Sequence, residues 1–268
     1  MRNLEINLLL QAIKEAYGYD FTEYKMASLK RRLDLFLSSC AKEHISELIP
    51  LVLHNPDKFV LLVNSLTIGI TEMFRDPPLY NFIRKEIVPE LKTFPSVNIW
   101  GAGCSTGQEI YSLAILLFEE GLYSKSRIYG TDINPGFLAE ASEGIYPQQN
   151  FAGYSTNYLN SGGKASLNNY IHVKYGKGIV DDSIRKNVSF FKHNLVSDQK
   201  FIEAQLIFCS NVLIYFNQEL QKKVFRLFYD SLHSYGFLVL GPQERIPDHL
   251  LGYMFEKISP SLPIYKKK

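Results

Sequence analysis

Apolar positions recur at two different periods along this chain, and the change of period divides it. Over roughly the first 70 residues the spacing is helical. Leu9, Ile13, Ala16 and Tyr17 share one helix face. Asp20 with Glu23 has the spacing of a capping box before a second helix that runs to about Ser39. Met26, Leu29, Leu33, Phe36 and Leu37 form its expected buried stripe, with Lys25, Ser28 and Arg32 on a flanking face. Two shorter helices are predicted over 45–53 and 57–66. No strand pattern precedes Val97.

From Pro77 onward the pattern alternates. A helix over 78–91 leads to a strand over 97–101, then helix 108–120, strand 127–131 and helix 135–143. Further strands are predicted over 188–191, 206–209 and 237–240, with a helix over 218–234 between the last two. Such alternation implies an α/β domain with a mainly parallel, doubly wound sheet. The expected organisation is therefore an all-α domain over 1–76 and a sheet domain over 77–268. The stretch from Tyr146 to Lys186 is rich in Asn, Ser, Gly and Tyr and fits the alternation poorly. Tyr170-Ile171-His172-Val173-Lys174 reads as an edge strand, with Gly176 and Gly178 suited to a turn.

The first strand ends in Trp100-Gly101-Ala102-Gly103-Cys104-Ser105-Thr106-Gly107-Gln108-Glu109. A glycine turn between a strand and a helix is expected to present open backbone N–H groups to a cofactor at the C-terminal edge of a parallel sheet. The second strand ends at Asp132, where a carboxylate can accept both hydroxyls of a ribose. The pair points to a nucleoside cofactor and leaves NAD and S-adenosylmethionine (SAM) both open.

Composition narrows the classes. Hydrophobic residues are 46% and charged residues 21% of 268, an ordinary globular balance, with a formal net charge of +2. Cys40, Cys104 and Cys209 are widely spaced, with no CxxC and no Cys/His metal pattern, so a reduced, cytoplasmic protein without a metal is expected. Leu8-Leu9-Leu10 is too short and too closely flanked by Glu5 and Glu15 for a leader or anchor, and Lys266-Lys267-Lys268 reads as a solvated end. No basic tract or motif suggests nucleic acid. The protein is expected to act as a monomer.

Further blocks bracket the glycine turn. Thr67-Ile68-Gly69-Ile70-Thr71-Glu72-Met73-Phe74-Arg75-Asp76 precedes it. His193-Asn194-Leu195 and Ile207-Phe208-Cys209-Ser210-Asn211-Val212-Leu213-Ile214-Tyr215-Phe216 follow it. In order and spacing these blocks resemble the chemotaxis receptor methyltransferases, the CheR family. Tyr24-Lys25-Met26-Ala27-Ser28-Leu29-Lys30-Arg31-Arg32-Leu33 resembles that family's helical domain. The resemblance runs from about Tyr17 to Tyr265. It implies a Rossmann-like SAM-methyltransferase sheet behind an all-α domain, with a small antiparallel β-subdomain inserted within about 150–187. The implied activity is transfer of a methyl group from SAM to glutamate carboxylates of a bacterial chemoreceptor or related signalling protein, with S-adenosylhomocysteine (SAH) as product.

The resemblance also assigns roles. Arg75 matches the family arginine between cofactor and substrate, and Tyr215 the tyrosine near the transferred methyl. Gly69, Thr71, Glu109, Asn194, Leu195, Ser210 and Asn211 fall at positions that touch the cofactor in the family, with Asn194 and Leu195 beside the adenine. Each has a plainer reading. Arg75 can be a surface arginine, Tyr215 a packed aromatic, Asp132 a helix cap, and Glu109 a partner of the helix dipole. Gly69 replaces the usual Asn, Ser210 the usual Arg, and Gly241-Pro242-Gln243-Glu244 the usual Gly-His-Ser-Glu. Lys25, Arg31 and Arg32 suggest a basic face for docking the acidic helices of a receptor, or ordinary solvated surface. A SAM- or SAH-binding regulator without turnover, or a methyltransferase for another acceptor, remain the competing functions.

Overall fold

In the computed structural model, residues 2–67, 69 and 71–268 are described. Ile68 and Ile70, within the block before the glycine turn, lie outside the described residues. The chain forms two compact units, Met1–Gly69 with Ile214–Val224, and Ile70–Leu213 with Phe225–Lys268.

The first unit is helical. It contains α1 (Arg2–Tyr17), α2 (Met26–Ser39), α3 (Leu48–Leu53) and α4 (Pro56–Leu66). In α1 the buried face is Ile6, Leu9, Leu10 and Ile13, while Ala16 is exposed. Tyr17 stacks on Phe59 of α4 with ring centroids 3.7 Å apart. The expected cap of α2 does not form. Asp20 accepts hydrogen bonds from the Thr22 N–H and hydroxyl, and Glu23 pairs with Lys223. Lys25 occupies the N-cap position without a side-chain bond. The true start signals lie elsewhere: Asn55 caps α4 through the Lys58 N–H, with Pro56 beginning the helix.

Arg32 departs from expectation. It is 6% exposed rather than solvated. Its guanidinium donates to the Leu66 carbonyl and lies 4.8 Å from the centre of the Tyr215 ring. Burial pulls its pKa down. The reason is positional: Arg32 sits beside Leu29, Leu33 and Phe36 on the face that α2 buries.

The second unit begins with α5 (Pro77–Phe82), which continues through a π-helical turn at Ile83–Ile87 into α6 (Val88–Leu91). Its sheet uses β1 (Val97–Ala102) and β2 (Ser126–Asp132), separated by α7 (Gln108–Glu119), with α8 (Pro135–Glu143) after β2. The inserted region holds β3 (Ile145–Pro147), helix α9 (Phe151–Asn160), β4 (Ile171–Lys174), β5 (Lys177–Val180) and α10 (Asp182–Arg185). The chain then returns through β6 (Val188–Lys192), β7 (Ala204–Cys209), α11 (Gln218–Ser231), β8 (Leu232–Leu240), β9 (Phe255–Lys257) and β10 (Ile264–Lys267).

The large sheet has the order β6-β2-β1-β7-β8-β10-β9. The strands from β6 to β8 run parallel, and β10 and β9 close one side antiparallel. The doubly wound α/β expectation therefore holds, with two added strands that short polar sequences concealed. The chain leaves β1 toward β2 and β6, then returns to β7. The crevice at the C-terminal ends of β1 and β7 is thus the switch point, where such sheets bind ligands.

The insert contains an antiparallel sheet in the order β3-β5-β4, with its β4–β5 hairpin turning at Gly176, φ +74°. It also contains α9, whose helical spacing was masked by Asn, Ser and Gly. A buried ionic group ties the insert to its surroundings. Arg84 pairs with Glu119 and Glu120, while the Tyr158 and Tyr170 hydroxyls donate to Glu119.

Candidate active site

The loop after β1 is shaped by left-handed backbone. Gly103, Ser105 and Gly107 have φ of +74°, +49° and +90°. A side chain at Gly103 would meet a conformation that L-residues disfavour and would also collide with Val212. Several of the loop N–H groups are already bonded within the protein, contrary to expectation. Those of Gly103 and Cys104 both donate to the Thr131 carbonyl, at 2.8 and 2.9 Å. Ser105 N–H donates to Asp132 Oδ2 at 2.9 Å. These bonds attach the glycine loop to the end of β2.

Asp132 is thereby held on both oxygens, since Oδ1 accepts the Asn134 N–H at 2.9 Å. Burial raises its pKa, and the donated N–H groups oppose that rise. It does not cap α8; Asn134 does, through the Gly136 N–H. A carboxylate oxygen accepts more than one hydrogen bond, so Asp132 retains capacity for a ribose. Asn194 is buried in a tight turn, taking the Val196 N–H on its side-chain oxygen while its own N–H donates to Asp198. Leu195 beside it is half-buried.

Glu109, in the first turn of α7, is 7% exposed. Burial pushes its carboxyl up to about 8, against the pull of the Arg75 guanidinium and the Ser210 hydroxyl. Among the described residues, Oε1 of Glu109, Oγ1 of Thr71 and Oγ of Ser105 are buried without a hydrogen-bond partner. Buried polar atoms left unpaired are costly, and such atoms suit a ligand with its own donors and acceptors.

Arg75 lies between two strained residues, Phe74 at φ +52° and Asp76 at φ +57°. Phe74 is fully buried, and its N–H donates to the Ser112 hydroxyl on α7 at 2.8 Å. Non-glycine residues in this region cost free energy and persist only where their surroundings hold them. The anchored Phe74 therefore sets where the half-buried Arg75 projects.

The loop after β7 is held differently. Asn211 has φ +61°. Glu244, 4% exposed, accepts four backbone N–H groups: Gly241 and Asn211 on Oε2, Val212 and Leu213 on Oε1, at 2.6–2.9 Å. The Ser210 hydroxyl accepts from the Asn211 amide at 2.7 Å. Glu244 was not among the residues assigned from sequence. Three of its four partners lie more than 30 positions away, so the block Gly241–Glu244 by itself does not reveal what it holds.

The comparisons with known proteins bear on this site. The description "CheR methyltransferase, all-alpha domain" matches residues 4–67, and "CheR methyltransferase, SAM binding domain" matches residues 70–259. The chain belongs to the CheR methyltransferase family. It is 45% identical over 265 residues to "Putative methyltransferase Cher3" of Pseudomonas putida, covering 99% of this chain and 97% of that protein. It is 30% identical over 241 residues to a chemotaxis protein methyltransferase of Listeria innocua, covering 88% of each. A chemotaxis protein methyltransferase of Borreliella burgdorferi is 29% identical over 262 residues, covering 90% of this chain and 88% of that one.

CheR membership resolves the open choice of cofactor in favour of SAM, and the chain is a SAM-dependent methyltransferase. The unpaired Thr71, Ser105 and Glu109 atoms and the half-buried Asp132 carboxylate fit such a cofactor, which carries hydroxyls, an amino group and a carboxylate.

The residues assigned from sequence fall into two groups. Thr71, Arg75, Gly101, Gly103, Glu109, Asp132, Asn194, Leu195, Ser210 and Asn211 all belong to the second unit. Gly69 and Tyr215 belong to the first, as do Lys25, Arg31 and Arg32. Gly69, Lys25 and Arg31 are exposed. Gly101 is a packing requirement, because a Cβ there would strike Ile110. No described helix is long and apolar enough to cross a membrane.

Proposed function

We propose that this chain transfers the methyl group of SAM to glutamate side chains of a chemoreceptor or related signalling protein. The observation that carries this reading is the match of both CheR domains along the chain, together with relatives named chemotaxis protein methyltransferase. The bound cofactor supplies a methyl carbon made electrophilic by a neighbouring sulfonium. A glutamate carboxylate, with a reference pKa of about 4.3, is already a nucleophile at neutral pH. No general base is needed, so the protein's task is alignment and exclusion of water.

In this reading Asp132 accepts the ribose hydroxyls, and Asn194 and Leu195 border the adenine. Glu109 accepts a donor of the cofactor on its unpaired oxygen. Gly69, Thr71, Ser210 and Asn211 line the same molecule. Arg75 orients the acceptor carboxylate, for which a planar guanidinium offers two parallel donors. Tyr215 acts near the transferred methyl. Lys25 and Arg31 dock acidic receptor helices, and the protein works in the cytoplasm as a monomer. Arg32, because it is buried, is assigned instead to support of Tyr215 through the ring contact.

A second reading rests on Gly69 and Ser210, which replace the family's Asn and Arg: a SAM-binding regulator without turnover. Incubation with methyl-labelled SAM and a receptor cytoplasmic fragment separates the two. The methyltransferase reading expects label on protein that alkali releases as methanol, the behaviour of an ester. Alkali-stable label would mean another acceptor atom. SAH binding with no transfer to any receptor fragment would favour the regulator.

A further inference from the structure

The carboxylate of Glu244 has no part in the chemistry proposed above, yet it is among the most completely bonded groups in the second unit. It gathers N–H groups from two segments, Gly241 on its own side and Asn211, Val212 and Leu213 on the other. The approach is close. A Cβ on Gly241 would lie 2.8 Å from the Asn211 nitrogen, 2.9 Å from Glu244 Oε2 and 3.1 Å from the Ser210 hydroxyl. Only glycine admits that spacing.

The turn so held relies on an acceptor outside it. Asn211 sits at φ +61°, and Val212 and Leu213 point successive N–H groups toward one acceptor. Neutral loop contacts would not keep three consecutive donors converged; a buried anion does, because bonds to an ionised acceptor are roughly twice as strong. The turn in turn reaches the glycine loop, since the Val212 side chain fills the space that a Cβ at Gly103 would occupy. Glu244 is thus linked, through Val212, to the loop that is fastened to Asp132.

We propose that Glu244 is a positioning residue for the cofactor site: its carboxylate sets the turn Asn211–Leu213 and, through Val212 against Gly103, the form of the glycine loop. This rests on the assignment of those loops to SAM. It does not depend on the acceptor, so it can fail while glutamate methylation stands, and the reverse.

The test is calorimetry with SAH together with amide hydrogen exchange, on the full chain and on Glu244→Gln. The amide presents one acceptor oxygen and turns donors toward donors. Exchange at 211–213 should rise while that of β1 and β2 stays protected, and SAH affinity should fall by about tenfold or more, the loss of hydrogen bonds to a charged group. Glu244→Asp keeps the charge with shorter reach and should lie between the two. SAH affinity within about twofold of the parent, despite faster exchange at 211–213, overturns the proposal; so does unchanged exchange there. If Glu244→Gln does not fold, the same readouts on Glu244→Asp decide. Unfolding of both would make Glu244 a general stability residue and also overturn the positioning role.

Discussion

The loops that follow β1 and β7 leave neighbouring parallel strands, and both turn through left-handed backbone, but they are stabilised in opposite ways. After β1, two of the three left-handed positions are glycines, and the N–H groups of Gly103 and Cys104 find a carbonyl on the adjacent strand. After β7, an asparagine takes the left-handed position, and the N–H groups converge on a side chain from beyond β8. The first loop takes its left-handed backbone from its own glycines and its anchorage from β2 next to it. The second is specified by a distant carboxylate and would be expected to relax without it. A site assembled from both is only as well ordered as the less local of the two.

The largest expected effect comes from attacking the local loop. Gly103→Val combines a β-branched residue at φ +74° with a collision against Val212. Strain and overpacking together should cost about 2–6 kcal/mol of folding free energy, with loss of SAH binding. Urea unfolding measures it. A loss below about 1 kcal/mol would mean that the loop adapts, and the contrast between the two loops would collapse.

Glu109 offers a second handle, because its carboxyl is raised from 4.5 to about 8. Between those values the folded protein without cofactor keeps a proton that the unfolded chain has released. Stability should therefore be greatest at the acid end of that window, decline as pH rises through it, and level off above about 8, a swing on the order of a few kcal/mol. Glu109→Gln has no proton to lose and should flatten that part of the profile, so that at pH 8.5 the variant is the more stable protein. Parallel pH profiles of urea midpoints for the two proteins would remove Glu109 as the cause.

How far these features were legible in sequence follows the same division. The glycine turn after β1 and the strand-end Asp132 after β2 could be read from local strand and loop pattern, whereas the role of Glu109 came from the family resemblance. Arg75, Tyr215 and the remaining site positions came from resemblance to a family, not from local pattern. The burial of Arg32 was missed because a long basic side chain at the edge of an apolar stripe reads as surface until its carbonyl and aromatic partners are known. Glu244 was missed because three of its four donors lie across a helix and a strand. The short, partly polar β9 and β10, and α9 among Asn, Ser and Gly residues, carry too little periodicity to be separated from loop.

Smaller effects distinguish cofactor binding from alignment of the acceptor. Asp132→Ala should weaken SAH by about 1.5–3 kcal/mol, the range for hydrogen bonds to a charged group. Calorimetry returning the parent affinity would take Asp132 out of the site. Arg75→Ala, and to a lesser degree Tyr215→Phe, should leave SAH affinity nearly intact while kcat falls by about 10–100-fold, because their proposed work is done on acceptor and transition state. A matching loss of SAH affinity would instead make Arg75 a cofactor residue, and full kcat at saturating substrate would leave it no role.

The smallest effect concerns the first unit, where the exposed Lys25 and Arg31 differ from the buried Arg32 only by position on α2 and its N-cap. Exposed charges on a solvated face contribute mainly to encounter with an oppositely charged partner, and they are screened by salt. Lys25→Glu combined with Arg31→Glu should raise KM for a receptor fragment by a few-fold, about 0.5–1 kcal/mol, and leave SAH affinity as it was. Salt should raise KM of the parent more than that of the double variant, since the variant has no attraction left to screen. Arg32→Glu should behave differently: it places an acid where a buried guanidinium met the Leu66 carbonyl and the Tyr215 ring, and it should lower folding stability before it alters salt dependence. Equal salt dependence in parent and double variant would return Lys25 and Arg31 to ordinary surface. The acceptor would then have to be sought on the inserted sheet, where β4 leaves one edge of its backbone without a neighbouring strand in the order β3-β5-β4.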